Sequence, residues 1–401
     1  MIGLIINRHP FFFIAFITLI TSLIAISVDV LLPAYADIRL VFSLSADGSI
    51  ENIILYFFIG LSLGYPLAGM SADILGRETT IAAGLILFVL GSVIAANATN
   101  FDTLLYGRLI QGFGAAGPRV ASLALIRDRF SGAAMAKIMS LLFAIFILIP
   151  IGAPFIGAFI LALADWSYIF YFNALIAVFC LIWLGIKSCC EPPASGVSKQ
   201  NFAQFCATSK RLFSNYAFLL LCIISGLIFA GFFLYLSFVP ELLTGFYAVS
   251  NLPLYLAACG FSMGLAAIFN KWLVSVFRLQ SIVIVSCILL VLIAAIAHFV
   301  DFSRLIYFVV FLNLVLFFIG IMFSNINTLV LTPVEQGRGW ASAIWGLVSN
   351  AVGALSVYVA SLFYTGTSGD IFDSIGCFML LALLLLGVNQ GLSLSAKAKA
   401  Q

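Results

Sequence analysis

Apolar positions along the chain come in long blocks separated by short polar turns, and each block is about 20 residues, the length an α-helix needs to cross a bilayer. Twelve such runs are legible, in two groups of six. The first group covers roughly residues 11–34, 52–72, 79–97, 102–126, 136–162 and 167–187; the second covers roughly 215–240, 251–275, 280–300, 304–332, 339–364 and 371–394. Between them lies the most polar stretch of the chain, around "EPPASGVSKQN", with paired prolines and no membrane-length apolar run. The pattern predicts an all-α membrane protein of twelve transmembrane helices: a six-helix bundle over residues 1–187, a linker over 188–214 and a second bundle over 215–401. Two repeated halves of this kind are the usual build of a secondary transporter.

Composition agrees with the pattern. Hydrophobic residues make up 64% of the 401 and charged residues only 8%, far from the balance of a soluble domain. A net charge of +3 is too small to argue for a nucleic-acid partner. The basic residues instead set orientation. With the N-terminus cytoplasmic, Arg8, Arg77, Arg127, Arg129, Lys137, Lys187, Lys199, Lys210, Arg211, Lys271, Arg278, Arg338, Lys397 and Lys399 fall inside, and only Arg39 and Arg304 fall outside. Both termini and the linker are therefore expected in the cytoplasm. The start, "MIGLIINRHPFFFIAF", has no small-residue cleavage site closing a short apolar run and reads as a first span that stays. The 8 cysteines show no metal-ligand spacing with histidine and read as reduced packing residues. No metal or cofactor is expected.

Few polar groups lie inside the spans. Arg108 and Arg119 are eleven residues apart in the fourth, about 1100° or three turns plus roughly 20°, so they share one face. An arginine near mid-helix costs about 2.5–3.5 kcal/mol on insertion scales. Each therefore either faces a polar cavity or caps carbonyls freed by the nearby glycines and Pro118. Asp29, in the outer half of the first span, is the carboxylate placed inside the membrane. Burial favours its protonation and a nearby guanidinium opposes it, the balance a proton carrier needs. Gln111 in the fourth span, and Tyr235, Asn325, Asn327 and Asn350 in the second half, are further cavity candidates. His9 and His298 read as interfacial.

Four stretches carry a family resemblance: "SVDVLLPAYADI" (27–38), "GMSADILGRET" (69–79), "RLIQGFGAAGPRVASLALIRD" (108–128) and "IPIGAPFIGAF" (149–159). In this order they resemble the major facilitator superfamily, and within it the Bcr/CflA drug-resistance proton antiporters. The loop with Gly69, Asp73, Gly76 and Arg77 is similar to the family's G-x-x-x-D-x-x-G-R signature. The fourth-span stretch is similar to its arginine motif, and Gly152, Pro154 and Gly157 to its antiporter motif. Ala153 departs from the usual glycine, and Glu78 from a usual basic residue. The resemblance implies that Asp73 pairs near Arg77 and with the start of the eleventh helix, around Gly339 to Ala341, as a latch between the halves. It implies that Arg108 holds the fourth helix against the fifth, and that the antiporter stretch seals the halves against leak.

The expectation is a non-enzymatic, monomeric transporter of the inner membrane that exports small drug-like molecules in exchange for protons. Asp29 is the coupling group, and Arg119, Arg108, Gln111, Asn350 and Tyr235 are the candidate substrate contacts. Two arginines against one carboxylate favour neutral, zwitterionic or anionic cargo, so a carrier of an anionic metabolite or carboxylate siderophore is the alternative. A membrane enzyme would need clustered His, Asp or Glu, and a channel a ring of like groups; neither is found. No G-x-x-x-x-G-K-[ST] run offers an ATPase site.

Overall fold

A computed structural model describes residues 10–44, 50–130, 132–190, 210–334 and 338–400. Most of the expected linker and the two N-terminal residues Arg8 and His9 lie outside the described residues. The long helices are α1 (Pro10–Asp29), α2 (Asn52–Ile74), α3 (Arg77–Ala96), α4 (Phe101–Arg129), α5 (Gly132–Leu163), α6 (Ser167–Cys190), α7 (Tyr216–Glu241), α8 (Leu252–Val276), α9 (Leu279–Ala297), α10 (Leu305–Leu331), α11 (Arg338–Ser361) and α12 (Ser368–Ala400). Eleven helical segments of the described residues are long and apolar enough to cross a membrane; α5 contributes the shorter apolar stretch Leu148–Leu163. The side chains of residues 139–147, in the middle of α5, are outside the description.

Helix starts follow local chemistry. Asn100 accepts a hydrogen bond from the Thr103 N–H at 2.8 Å and Asn215 one from the Phe218 N–H at 3.1 Å, each satisfying a donor that the first turn leaves open. At Gly76, φ is +99°, a conformation that favours glycine, and this residue separates α2 from α3. The first span ends at a proline. Pro33 has no N–H, and the chain tightens into a 3-10 turn over Leu32–Ala34 before a short helix, Tyr35–Val41.

The helices form two compact units, α1–α6 and α7–α12. In the first, α4 packs on α2 and α3, α3 on α6, and α1 on α5, α6 and α4. In the second, α10 packs on α8 and α9, α9 on α12, and α7 on α11, α12 and α10. The two schemes are the same list shifted by six helices, the signature of an internal repeat. Apolar residues exposed at helical spacing repeat with it: Leu175, Phe179, Ile182 and Ile186 on α6, Val285, Ile288, Leu292 and Ile296 on α9, and Leu380, Leu384 and Val388 on α12. These are stripes that only a lipid environment makes comfortable.

Glycines set how closely α4 approaches its neighbours. A Cβ on Gly112 would lie 1.9 Å from the Phe57 carbonyl oxygen of α2, and one on Gly114 would lie 2.3 Å from the Phe88 nitrogen of α3. Both backbones therefore sit in direct contact with α4. Gly60 and Gly64 on α2, and Gly84 and Gly91 on α3, return the contact from the other side. In lipid there is no hydrophobic drive between helices, and such backbone-to-backbone packing is what holds them.

Candidate functional site

The polar interior of the first unit is built around Arg108, which is fully buried. Its Nε donates to the Ile53 carbonyl of α2 at 3.2 Å, and its Nη1 donates to the Ser27 carbonyl of α1 at 3.4 Å and to Gln111 Oε1 at 2.6 Å. Gln111 then donates to Ser92 Oγ of α3 at 2.8 Å. The guanidinium lies over the Phe57 ring, 4.3 Å from its centroid. The Ser27 carbonyl needs this partner. Leu31 N–H turns to Val28 instead of Ser27 as the helix tightens toward Pro33, so the carbonyl loses its helical donor. Hydrogen bonds to a charged group are worth about 1.5–3 kcal/mol each and a buried cation–π contact about 2 kcal/mol, enough to offset the insertion cost.

Among the described residues Arg108 ties α4 to α1 and α2, and the α1 carbonyl it finds is the one left open where the Leu31 N–H turns to Val28. Gln111 and Arg108 consume one another inside the bundle, and Gln111 passes the network on to α3.

Arg119 sits three turns along the same face of α4 and is partly exposed. Its guanidinium hydrogen-bonds the Tyr65 hydroxyl of α2. Both arginines thus lean on α2: Arg108 is fully buried, with its Nη2 left without a hydrogen-bond partner among the described residues, and Arg119 is partly exposed. Asp29 ends α1 and is buried, 4% exposed. No hydrogen bond or ion pair engages its carboxylate among the described residues. Glu51, just before α2, is also buried, which its position beside a span boundary gave no reason to expect.

At the α2–α3 turn, Arg77 Nη1 donates to Asp73 Oδ1 in an ion pair. Thr80 Oγ1 donates to the Gly76 carbonyl at 2.9 Å and meets Ser71 Oγ at 2.9 Å, so the turn is stapled on itself. Gly69 is buried on α2. In the antiporter stretch, a Cβ on Gly157 would lie 2.1 Å from the Val30 carbonyl, whereas Gly152 has open space around it. The close contact at Gly157 joins α5 to α1 within the first unit, at a carbonyl released by the Pro33 break. Pro154 lies inside the same helix, where it lacks the N–H of a helical bond.

In the second unit Asn350 is buried and donates to the Gly346 carbonyl of its own helix at 2.8 Å. Tyr235 is buried, with its hydroxyl on the Cys259 sulfur. Asn325 is buried and exchanges amide hydrogen bonds with Asn270 at 2.7 and 3.3 Å, fastening α10 to α8. The Asn270 side of that pair was illegible in sequence, because a single amide in an apolar run does not announce its partner. Asn327 Nδ2 donates to the Phe323 carbonyl at 3.3 Å. On an exposed loop, the Ser303 N–H and hydroxyl donate to Asp301 and hold its carboxyl below the usual range. His298 is exposed, 3.4 Å from Asp373. No group of three or more His, Cys, Asp or Glu among the described residues could hold a metal ion.

Repeated six-helix units with exposed apolar stripes and a few buried, hydrogen-bonded polar groups are the build of a multi-span membrane transport protein. The particular family follows from comparison. Residues 14–357 match the profile described as Major Facilitator Superfamily, and the chain belongs to that superfamily. It is 26% identical over 343 residues to the uncharacterized MFS-type transporter YdgK of Bacillus subtilis, covering 82% of this chain and 83% of that one. It is 28% identical over 237 residues to the chloramphenicol resistance protein CraA of Acinetobacter baumannii, covering 59% and 57%. A crystal structure of a D-xylose-proton symporter superposes with a TM-score of 0.76 at 16% identity, covering 93% of this chain and 96% of the other; that likeness concerns the fold.

Proposed function

We propose that this protein is a proton-coupled exporter of small drug-like molecules, with twelve spans, cytoplasmic termini and two halves that alternate access to a central site. The observation that carries the reading is Asp29: a buried carboxylate at the end of a membrane span, with no hydrogen-bond or ion-pair partner among the described residues. A carboxyl group kept from water and from cations favours its neutral form, and wetting restores the anion. Alternate wetting from the two sides therefore moves one proton per cycle. Each charge that crosses gains about 2.3 kcal/mol per 100 mV, so a driving force near 150 mV sustains a gradient of roughly a few hundredfold per proton.

Arg119 is the substrate contact of choice, since it is partly exposed and its Tyr65 partner is neutral. Arg108 and Gln111 are assigned to packing, and Asn350 and Tyr235 to the wall of the second half. The Asp73–Arg77 pair is the latch, closing on the positive N-terminal end of α11 when the cytoplasmic side is shut. Chloramphenicol, the compound named in the A. baumannii relative, is the first solute to try. Everted vesicles carrying the protein should accumulate labelled chloramphenicol when a proton gradient is imposed and release it when an uncoupler is added. Accumulation insensitive to the uncoupler would remove proton coupling. A second reading, transport of an anionic metabolite, draws on Arg119 and is separated by competition with dicarboxylates.

A further inference from the structure

The second unit carries a row of aromatic rings that the coupling scheme does not use. Phe229 of α7 lies between Phe323 of α10 and Trp345 of α11, with ring centroids 4.8 and 6.0 Å away and planes crossed at 82° and 71°. Phe232, further along α7, meets the same Phe323 at 5.4 Å and 80°. Edge-to-face contacts of this kind match the positive edge of one ring to the negative face of the next. Trp345 has a second anchor: its Nε1 donates to Ser225 Oγ of α7 at 2.9 Å, and Ser225 is fully buried. The indole is thus held by its N–H and by its Phe229 contact. All four rings nevertheless keep part of their surface open.

That open surface is not part of the apolar stripes that the same helices expose. Counted at 100° per residue, Phe229 and Phe232 point about 120–180° away from Tyr216 and Ile223, the exposed residues of α7. Phe323 points about 140–180° away from Val310 and Leu314 on α10, and Trp345 about 80–140° away from Leu355 and Tyr358 on α11. Phe229 is also half-way along α7, the depth at which transporters of repeated build hold their substrates. The surroundings are uncharged. Helix α10 has no charged residue, α7 has Glu241 at its last position and α11 has Arg338 at its first. Glu241 is about 14 Å of rise beyond Phe232, so no carboxylate on these helices stands ready to neutralise a cation seated on the rings. The row suits a neutral guest.

Resting on the exporter reading above, we propose that Trp345 selects the cargo: its indole is the platform on which the electron-poor aromatic ring of a neutral solute stacks, with Phe229, Phe232 and Phe323 as the adjoining apolar wall. An indole face is electron-rich, and a ring drained by a nitro group has the opposite quadrupole, so the two attract face to face. Holding the indole in place beforehand removes the ordering cost that a free side chain would bring to binding. Chloramphenicol, the compound named in the A. baumannii relative, has this chemistry, an uncharged molecule with a nitrophenyl ring.

The test uses purified full-length protein in detergent. Tryptophan fluorescence lifetimes are followed while chloramphenicol is added, because a nitro-substituted ring quenches an indole on contact. Of the 5 tryptophans, Trp345 should account for the saturable quenching, and Trp345→Phe should abolish it. Binding of labelled chloramphenicol should weaken about tenfold in Trp345→Leu and less in Trp345→Phe, which keeps a ring. The analogue with an amine in place of the nitro group has an electron-rich ring of nearly the same shape. It should bind the parent about fivefold more weakly than chloramphenicol, whereas Trp345→Leu should bind the two alike, a loss of discrimination that a merely structural role does not produce. Trp345→Phe carries the quenching test even where Trp345→Leu fails to fold. Saturable quenching that survives in Trp345→Phe, or discrimination unchanged in Trp345→Leu, overturns the platform. Tighter binding of tetraphenylphosphonium than of chloramphenicol, lost in Trp345→Leu, makes the row a cation site and overturns the neutral class. A parent that transports chloramphenicol in vesicles without quenching removes the platform alone; one that neither transports nor binds it removes the exporter reading as well.

Discussion

Two arginines on one helical face have different chemistry because of what lies opposite each. Arg108 meets a carbonyl released at the end of the first helix, a glutamine and an aromatic face; Arg119 meets the Tyr65 phenol and is partly exposed. Arg108→Ala leaves the Ile53 and Ser27 carbonyls and Gln111 without their donor, and should cost on the order of 3 kcal/mol of stability. Thermal unfolding in detergent should show the loss with or without ligand, and Arg108→Lys should recover little, because an ammonium cannot span the three acceptors. Arg119→Ala should instead leave the unfolding temperature nearly unchanged and weaken binding of acidic or zwitterionic solutes, with Tyr65→Phe giving a smaller effect of the same sign. Unaltered affinity for every transported solute in Arg119→Ala would make that guanidinium a packing device and remove the case for anionic cargo.

At the scale of elements, α4 is wedged between α2 and α3 with glycines on both sides of each contact. Gly112→Ala puts a Cβ 1.9 Å from the Phe57 carbonyl and should sharply lower folded yield, measured by size-exclusion chromatography of detergent extracts. Gly152→Ala meets open space and should be tolerated, so the pair discriminates close packing from general sensitivity of glycine. The α2–α3 turn makes a separate prediction. Asp73→Asn removes the Arg77 ion pair and should raise labelling of cysteine probes placed on the cytoplasmic side; unchanged labelling with and without solute would leave the loop an ordinary turn. The helices were legible because lipid demands long apolar runs and because the prolines, glycines and asparagine caps mark their ends in plain residues. Their partners were not. Nothing in the residues around Arg108 says that its acceptor is a carbonyl on α1, since that carbonyl is left open by the Leu31 N–H turning to Val28, far earlier in the chain and outside any local pattern. The Asn270–Asn325 pair was hidden for the same reason.

For the whole molecule, the shared packing scheme of α1–α6 and α7–α12 makes the chain a doubled unit, and Asp29 and Arg108, two of the three charged side chains buried among the described residues, lie in the first copy. The second unit offers amides, hydroxyls and aromatic rings, such as the Trp345 indole bonded to Ser225 at 2.9 Å, and Phe229 packed on Phe323 with ring centroids 4.8 Å apart. The proposed energy coupling is therefore assigned to the first half and to Asp29. The most direct measurement compares the parent protein and Asp29→Asn in sealed proteoliposomes, following labelled chloramphenicol with and without an imposed pH gradient. The account predicts that the parent concentrates the compound above equilibrium, while Asp29→Asn equilibrates and exchanges it but never concentrates it. Accumulation by Asp29→Asn equal to the parent's would contradict the account at its centre.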